Sequence, residues 1–414
     1  MMARRIGCAG PVADGIDSCS GETSGGSAGT TGGSVTATGT GHAMSAIGVS
    51  AALDPAHGHH ATVSLSSVSR PQVDGSWQLA VLADGYVTTQ LLYVAAKLRL
   101  ADALADAPAS GPEVAAAVHA DADVVTRILR GLCLDDVFVE LADGRFALGR
   151  LGEYLRDGVA GSQRGPILAR GEVYFPVAHA LLDAATTGAC AFEQTYGQPF
   201  FAHLNSVPAH HEAFEASMAG RAAHEADAVV AAYDMRGLSH LVDVGAGPGL
   251  IARAALRAVP TLSVTLVDRP AMMDRARREM NDAGLTRRCA FVAADFFDAV
   301  PAGADAYLLS RILHDWNDQE AARILRVCRA AMPPGARLLI VDAVLPEQAC
   351  DMPGAIRMDL VMLLLLGARE RTAAEFDRLL ATAGFELCRV IPTGSPTGLA
   401  VIEAIRNRTQ SRSS

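Results

Sequence analysis

The sequence predicts an α/β protein: a parallel sheet with helices on both faces, preceded by a helical domain of winged-helix type. Three observations carry this. From about Gly237 onward, short β-rich runs alternate with amphipathic helical stretches. The first of those runs leads straight into a glycine-rich turn, "GAGPG". Upstream, helical periodicity ends in "FVELADGRFALG", two short apolar runs around Asp143-Gly144. Alternating strands and helices make βαβ units, whose ligand crevice lies at the carboxyl ends of the strands.

Residues 1–75 are expected to form a tail outside any core. The stretch "SCSGETSGGSAGTTGGSVTATGTG" is almost free of large apolar side chains, so it buries too little surface to offset its ordering entropy. "HGHH" at residues 57–60 is a weak metal-binding pattern, read as part of a solvated tail. No metal site is expected elsewhere.

Residues 76–158 read as the winged-helix domain. "SWQLAVLADGYVTTQLLYVAAKLRLADAL" has apolar residues at helical spacing, two more helices follow, and the hairpin closes the unit. Residues 159–236 read as a helical connector. Residues 237–408 read as the α/β domain, with strands at "HLVDVG", "SVTLVD", "CAFVAADF", "DAYLLS" and "RLLIVDAV". Residues 409–414 read as a short terminal tail.

Composition excludes some functions. Half of the 414 residues are hydrophobic and the net charge is −10, so a large core is available, while nucleic acid, which needs clustered Lys and Arg, is not the expected partner. The eight cysteines are scattered with no zinc spacing, and they read as free thiols of a cytoplasmic protein. The N-terminus has no apolar stretch of signal-peptide type, and "LVMLLLLGA" is too short to span a bilayer. No membrane partner is expected.

The glycine-rich turn places Gly245, Gly247 and Gly249 after a strand. A dinucleotide fingerprint requires a small residue where this chain has Leu250. Asp243, at the strand end, suits a ligand with a cationic part. Asp268 ends the next strand, 25 residues further on, the approximate spacing of a ribose-binding acid. Asp295 follows the third strand beside Phe296 and Phe297, where an acid and a ring suit an adenine. Each acid alone could cap a helix. Three at successive strand ends point to a nucleoside-bearing, cationic cofactor such as S-adenosylmethionine.

"LVDVGAGPG", "DRP", "AADFF", "LSRILHDWND", "VDAVLP" and "GARERTAAEF" resemble the motifs of class I S-adenosylmethionine-dependent O-methyltransferases. More narrowly they resemble the caffeic acid / acetylserotonin (hydroxyindole) family and its bacterial small-molecule relatives. The resemblance spans about Ser76 to Arg406. It implies a Rossmann-like methyltransferase domain and a homodimer built by the N-terminal domain. It assigns Gly245, Asp268, Asp295, Phe296 and Ser310 to the cofactor, and the adjoining Asp243, Gly247, Gly249, Arg269, Phe297 and Arg311 complete the expected set. It makes His314 the general base, oriented by Asp342 and Glu370. Asp342 is one methylene shorter than the glutamate common in plant relatives.

The expected acceptor is a small aromatic or polyketide-like molecule with a hydroxyl. A phenol is mostly neutral near pH 7, so an imidazole within hydrogen-bond reach assists its attack. Phe192, Phe201, Met218, Met358 and Met362 are the candidates for packing on a flat ring, with core packing as their alternative. Three other readings stand beside this one. They are a cofactor-binding relative acting by proximity or by diverged chemistry such as hydroxylation, a winged-helix transcription factor, and a nicotinamide oxidoreductase.

Overall fold

A computed structural model describes residues 47–51, 63–67 and 74–407, with the side chains of 47–51, 63–67 and 219–223 left aside. Within the expected tail, β1 (Ile47–Ala51) pairs antiparallel with β2 (Val63–Ser67). This corrects the expectation of no regular structure there. Ile47, Val49, Val63 and Leu65 alternate with small residues, a period-2 pattern that glycine and serine content obscured. The "HGHH" stretch and residues 408–414 lie outside the described residues.

From Gln78 onward the chain is one compact unit. α1 (Gly75–Ala83) runs into it, and α2 (Gly85–Lys97), α3 (Gly111–Ala117) and α4 (Ala122–Cys133) follow. Ser110 caps α3 in a capping box with Glu113. The wing follows as β3 (Phe138–Glu140) and β4 (Phe146–Leu148), antiparallel around Gly144. Short helices then lead to α5 (Pro208–Ala232).

The α/β layer contains β5 (His240–Val244), α6 (Leu250–Ala258), β6 (Ser263–Asp268), α7 (Pro270–Asp282), β7 (Cys289–Ala293) and β8 (Ala306–Ser310). It continues with α8 (Asp318–Ala331), β9 (Arg337–Leu345), α9 (Pro353–Leu366), β10 (Arg371–Thr372) and α10 (Ala373–Thr382). Two strands absent from the sequence reading, β11 (Phe385–Pro392) and β12 (Leu399–Arg406), close one edge antiparallel.

The sheet order is β11-β12-β9-β8-β5-β6-β7, with β10 parallel to β9. Strands β6 and β7 lie to one side of β5, and β8 and β9 to the other. The chain therefore reverses its direction of travel between β5 and β8, and the crevice opens at their carboxyl ends. Both faces of the sheet are covered, so its central strands are almost continuously buried and mostly apolar. On β9, Leu338 and Ile340 pack into one core and Leu339 and Val341 into the other.

Candidate active site

The turn after β5 takes the cofactor side of the crevice. Gly245, Gly247 and Gly249 all have positive φ. A Cβ on Gly245 would collide with Ile312, whereas one on Gly247 would meet nothing within 4 Å. The backbone at Gly247 is therefore open to a close-lying ligand. Gly249 was read as a cofactor contact, and the structure gives it another task. A Cβ there would strike Leu266 and Met280, so it permits α6 to pack against β6 and α7.

The end of β6 holds the turn in place. Val267 O accepts from Gly245 N at 2.8 Å and from Ala246 N at 3.1 Å. Asp268 Oδ2 accepts from Gly247 N at 2.9 Å, and its Oδ1 from Arg269 N at 2.7 Å. Asp268 is half-buried and Arg269 exposed.

A cavity of about 190 Å³ lies beside the turn, lined by Glu225, Asp243, Gly245, Gly247, Ser310 and Arg311 among others. Asp243 is 2% exposed, and burial, reinforced by the Asp268 charge, pushes its carboxyl up to about 7. A buried acid facing a cavity fits a cationic ligand group. Asp268, Arg269, Asp295, Phe296 and Phe297 do not line this cavity. They follow at the ends of β6 and β7.

Asp295 is exposed and accepts from Phe297 N at 2.8 Å. Phe296 stands close to Gly245. Phe297 turns inward: its ring lies edge-on to Trp316 at 4.7 Å, with the Arg323 guanidinium 5.0 Å from its centroid. Phe297 and Trp316 thus support the rim.

His314 enters from the other side. After β8 the chain makes a left-handed turn at Arg311, with φ 56°, whose N–H donates to Val341 O at 2.9 Å. A single 3-10 turn, Leu313–Asp315, then carries His314 into the interior, where it is 6% exposed. Its Nδ1 lies 2.8 Å from Glu370 Oε1, and its Nε2 lies 3.4 Å from Asp315 Oδ1. Glu370 is fully buried, and its backbone N–H donates to Asp359 Oδ1 at 2.8 Å.

Of the two acids expected to orient His314, only Glu370 is hydrogen-bonded to it. Glu370 holds the ring. Asp342 is fully buried nearby, but neither of its oxygens makes a hydrogen bond. Its short side chain stops at the cluster without reaching the imidazole, and Asp315 takes the position by Nε2 instead.

Burial opposes a charge on His314, but Glu370, Asp315 and Asp342 outweigh it and raise its pKa to about 9. Burial lifts Asp342 to about 7 against the pull of His314, and Asp315 to about 6 likewise.

Two positioning residues escaped the sequence reading. Arg371, 1% exposed, donates to Leu313 O and Trp316 O at 2.8 Å each and to Asp318 Oδ1. It clamps the His314 turn from both ends. Glu225, on α5, accepts from Arg311 Nη2 at 2.6 Å. An arginine beside the catalytic-looking glutamate was the one visible signal for the first, and nothing local marked the second.

The acceptor-side candidates divide. Phe192 is fully buried, packed on Phe200 and Tyr196 at 5.1 and 4.7 Å. Its expected ring-contact role gives way to core packing, because it sits on the inward face of its helix. Phe201 is exposed. Met218, Met358 and Met362 are half-buried. The helix that carries Met358 and Met362, α9, lies alongside the His314 turn, and its Asp359 is the acceptor of the Glu370 N–H.

A Rossmann-type crevice with a cation-suited cavity, and a buried imidazole on the turn that follows the cavity-lining Ser310 and Arg311, fits a methyltransferase. The chain matches the O-methyltransferase domain over residues 177–386 and the O-methyltransferase dimerisation domain over residues 80–156. It belongs to this family, and it is an S-adenosylmethionine-dependent O-methyltransferase. The match is to the broad family and does not single out the caffeic acid / acetylserotonin branch.

Among its relatives is the phenazine O-methyltransferase PhzM of Lysobacter antibioticus, 42% identical over 79% of this chain and 95% of that protein. The aclacinomycin 10-hydroxylase RdmB of Streptomyces purpurascens is 36% identical over 75% of this chain and 84% of that protein. The solved structure of the mitomycin 7-O-methyltransferase MmcR has a TM-score of 0.74 at 31% identity, covering 80% of this chain and 97% of that one.

Proposed function

We propose that the enzyme methylates a hydroxyl of a small aromatic or polyketide-like metabolite, with His314 as general base. S-adenosylmethionine supplies a methyl group already activated on a sulfonium. Asp243 and the open backbone at Gly247 would hold its cationic amino-acid end, with Ser310 and Arg311 across the cavity. Asp268 would take the ribose, and Asp295 and Phe296 the adenine.

The observation that carries the proposal is the buried His314–Glu370 contact. With Glu370 ionised, Nδ1 keeps its proton and donates to it, so Nε2 is the atom that receives the acceptor's proton. Glu370 then faces the imidazolium it helps to stabilise. A pKa of about 9 keeps His314 protonated at neutral pH before ligands bind. A nearby sulfonium lowers that value and frees Nε2 for its task.

Relatives named for phenazine, mitomycin and naphthoate substrates support a planar acceptor. The dimerisation-domain match supports a homodimer, and the free cysteines support the cytoplasm. Among the described residues no single helix is long and apolar enough to cross a membrane, though α1 and α2 pass that test together as a bent pair.

Incubating the enzyme and methyl-labelled cofactor with a metabolite extract tests the proposal. Label is expected on an aryl or enolic oxygen. The relative named as a hydroxylase keeps one second reading in view, and product that gains oxygen without gaining label would favour it.

A further inference from the structure

Among the described residues, eight buried side-chain nitrogen and oxygen atoms have no hydrogen-bond partner, and five belong to three residues around His314. They are Nε and Nη1 of Arg311, both oxygens of Asp342, and Oε2 of Glu370. Buried polar atoms are almost always paired, because leaving one unpaired costs its desolvation. A concentration of them in one site marks where the polar groups of a ligand bind.

Asp342 is the most exposed to this argument, being fully buried with both oxygens unsatisfied. Its direction is set by the strand. Val341 lines the cavity beside the glycine turn, and successive residues of a strand point to opposite faces. Asp342 therefore points away from the cofactor cavity, toward His314, Glu370 and Asp315, whose charges it feels. The proton-bearing partner it lacks must come from the acceptor side.

We propose that Asp342 is a specificity-determining residue that accepts a hydrogen bond from a second hydroxyl or amino group of the acceptor, adjacent to the hydroxyl being methylated. This rests on the reading of His314 as the base that faces the first hydroxyl. The surroundings select the chemistry of the second group. Three carboxyl groups, Asp315, Asp342 and Glu370, already meet there, so a neighbouring carboxylate on the acceptor is repelled. Both unpaired oxygens of Asp342 call for a hydrogen-bond donor, so the neighbouring group on the acceptor is a hydroxyl or an amine. The preferred acceptor is thus a vicinal diol or aminophenol, not a simple phenol or a hydroxy acid.

Three matched probes test this: 2,3-dihydroxynaphthalene, 2-naphthol and 3-hydroxy-2-naphthoate. Each is titrated by calorimetry into the full-length protein saturated with S-adenosylhomocysteine, and methylation is followed separately with S-adenosylmethionine. The diol is expected to bind at least about tenfold tighter than naphthol, because the mono-ol leaves Asp342 unpaired, and the naphthoate weakest. Asp342→Ala is expected to bring the diol down to the naphthol's affinity, while Asp342→Asn, which keeps one accepting oxygen, retains part of the preference. Equal binding of diol and naphthol by the wild type, a preference for the naphthoate, no binding of any probe, or equal losses for both probes in Asp342→Ala would overturn the proposal. Tight diol binding without methylated product would count against His314 as base and leave this inference standing.

Discussion

His314 Nδ1 lies 2.8 Å from Glu370 Oε1, although 56 positions separate the two residues in the chain. The contact joins the turn after β8 to the segment that enters β10, and both ends are buried. It turns a lone imidazole into an oriented one.

Replacing His314 with Ala should lower turnover on a neutral phenol by about 10²–10⁴, the usual worth of a general base. Affinity for S-adenosylhomocysteine should hold, because His314 does not line the cofactor cavity. Steady-state rates and calorimetry on the same preparation decide it, and near-full turnover would return the enzyme to a proximity mechanism.

The pH dependence has a definite sign. The base must be unprotonated, and the folded protein holds His314 at about 9. At saturating cofactor, kcat/KM for the acceptor should therefore climb with pH, with its midpoint below 9 because the bound sulfonium lowers the value of the ligand-free protein. Glu370→Gln removes a charge that raises this value, so the climb should shift to lower pH while the plateau falls. A midpoint unmoved by that substitution would separate the profile from His314.

Asp268→Ala removes a candidate acceptor for ribose hydroxyls and also the acceptor of the Gly247 N–H. Hydrogen bonds to a charged group are worth roughly 1.5–3 kcal/mol. Affinity for S-adenosylhomocysteine should drop tenfold or more with the fold intact by circular dichroism. Unchanged affinity would remove Asp268 from the cofactor site.

Arg371→Ala leaves Leu313 O, Trp316 O and Asp318 without their donor. Asp318 is exposed and can be solvated, so the cost lies in the two carbonyls left without a donor, roughly 1–3 kcal/mol each. A lower denaturation midpoint together with lower kcat is expected, since the His314 turn loses its clamp. Arg371→Lys should recover little of either, lacking the fork that spans three acceptors.

The first two helices predict assembly. In α1 no residue is buried, and its Leu79, Val81 and Leu82 are exposed together with Tyr86 of α2, more apolar surface than a free helix face tolerates. A dimer is expected by sedimentation at micromolar concentration. Leu82→Asp combined with Tyr86→Ser should shift it toward monomer, and a wild-type monomer would refute the assignment.

Much of this fold is legible because its cues are local. The strand runs before Gly245, Asp268 and Ser310 are mostly apolar, as buried parallel strands usually are. The glycine turn is marked by its residues, since three positive φ values in five positions leave few alternatives to glycine. The edge strands β11 and β12 were not legible. Phe385–Pro392 carries polar residues on one face and a register shift near Arg389, so its pairing depends on β9 already being in place.

The sequence by itself determined the α/β layer, the order of its crevice motifs and the three acids at the strand ends, because strand, turn and helix signals act over a few neighbouring residues. Only the tertiary structure decided which acid serves His314. Asp342 and Glu370 are equally acidic in the sequence, and Asp315 is closer to the histidine than either. The selection is made by reach and burial. β9 delivers a side chain too short to meet the imidazole, the β10 segment delivers one long enough, and a hydrogen bond forms only where donor and acceptor come within about 3 Å.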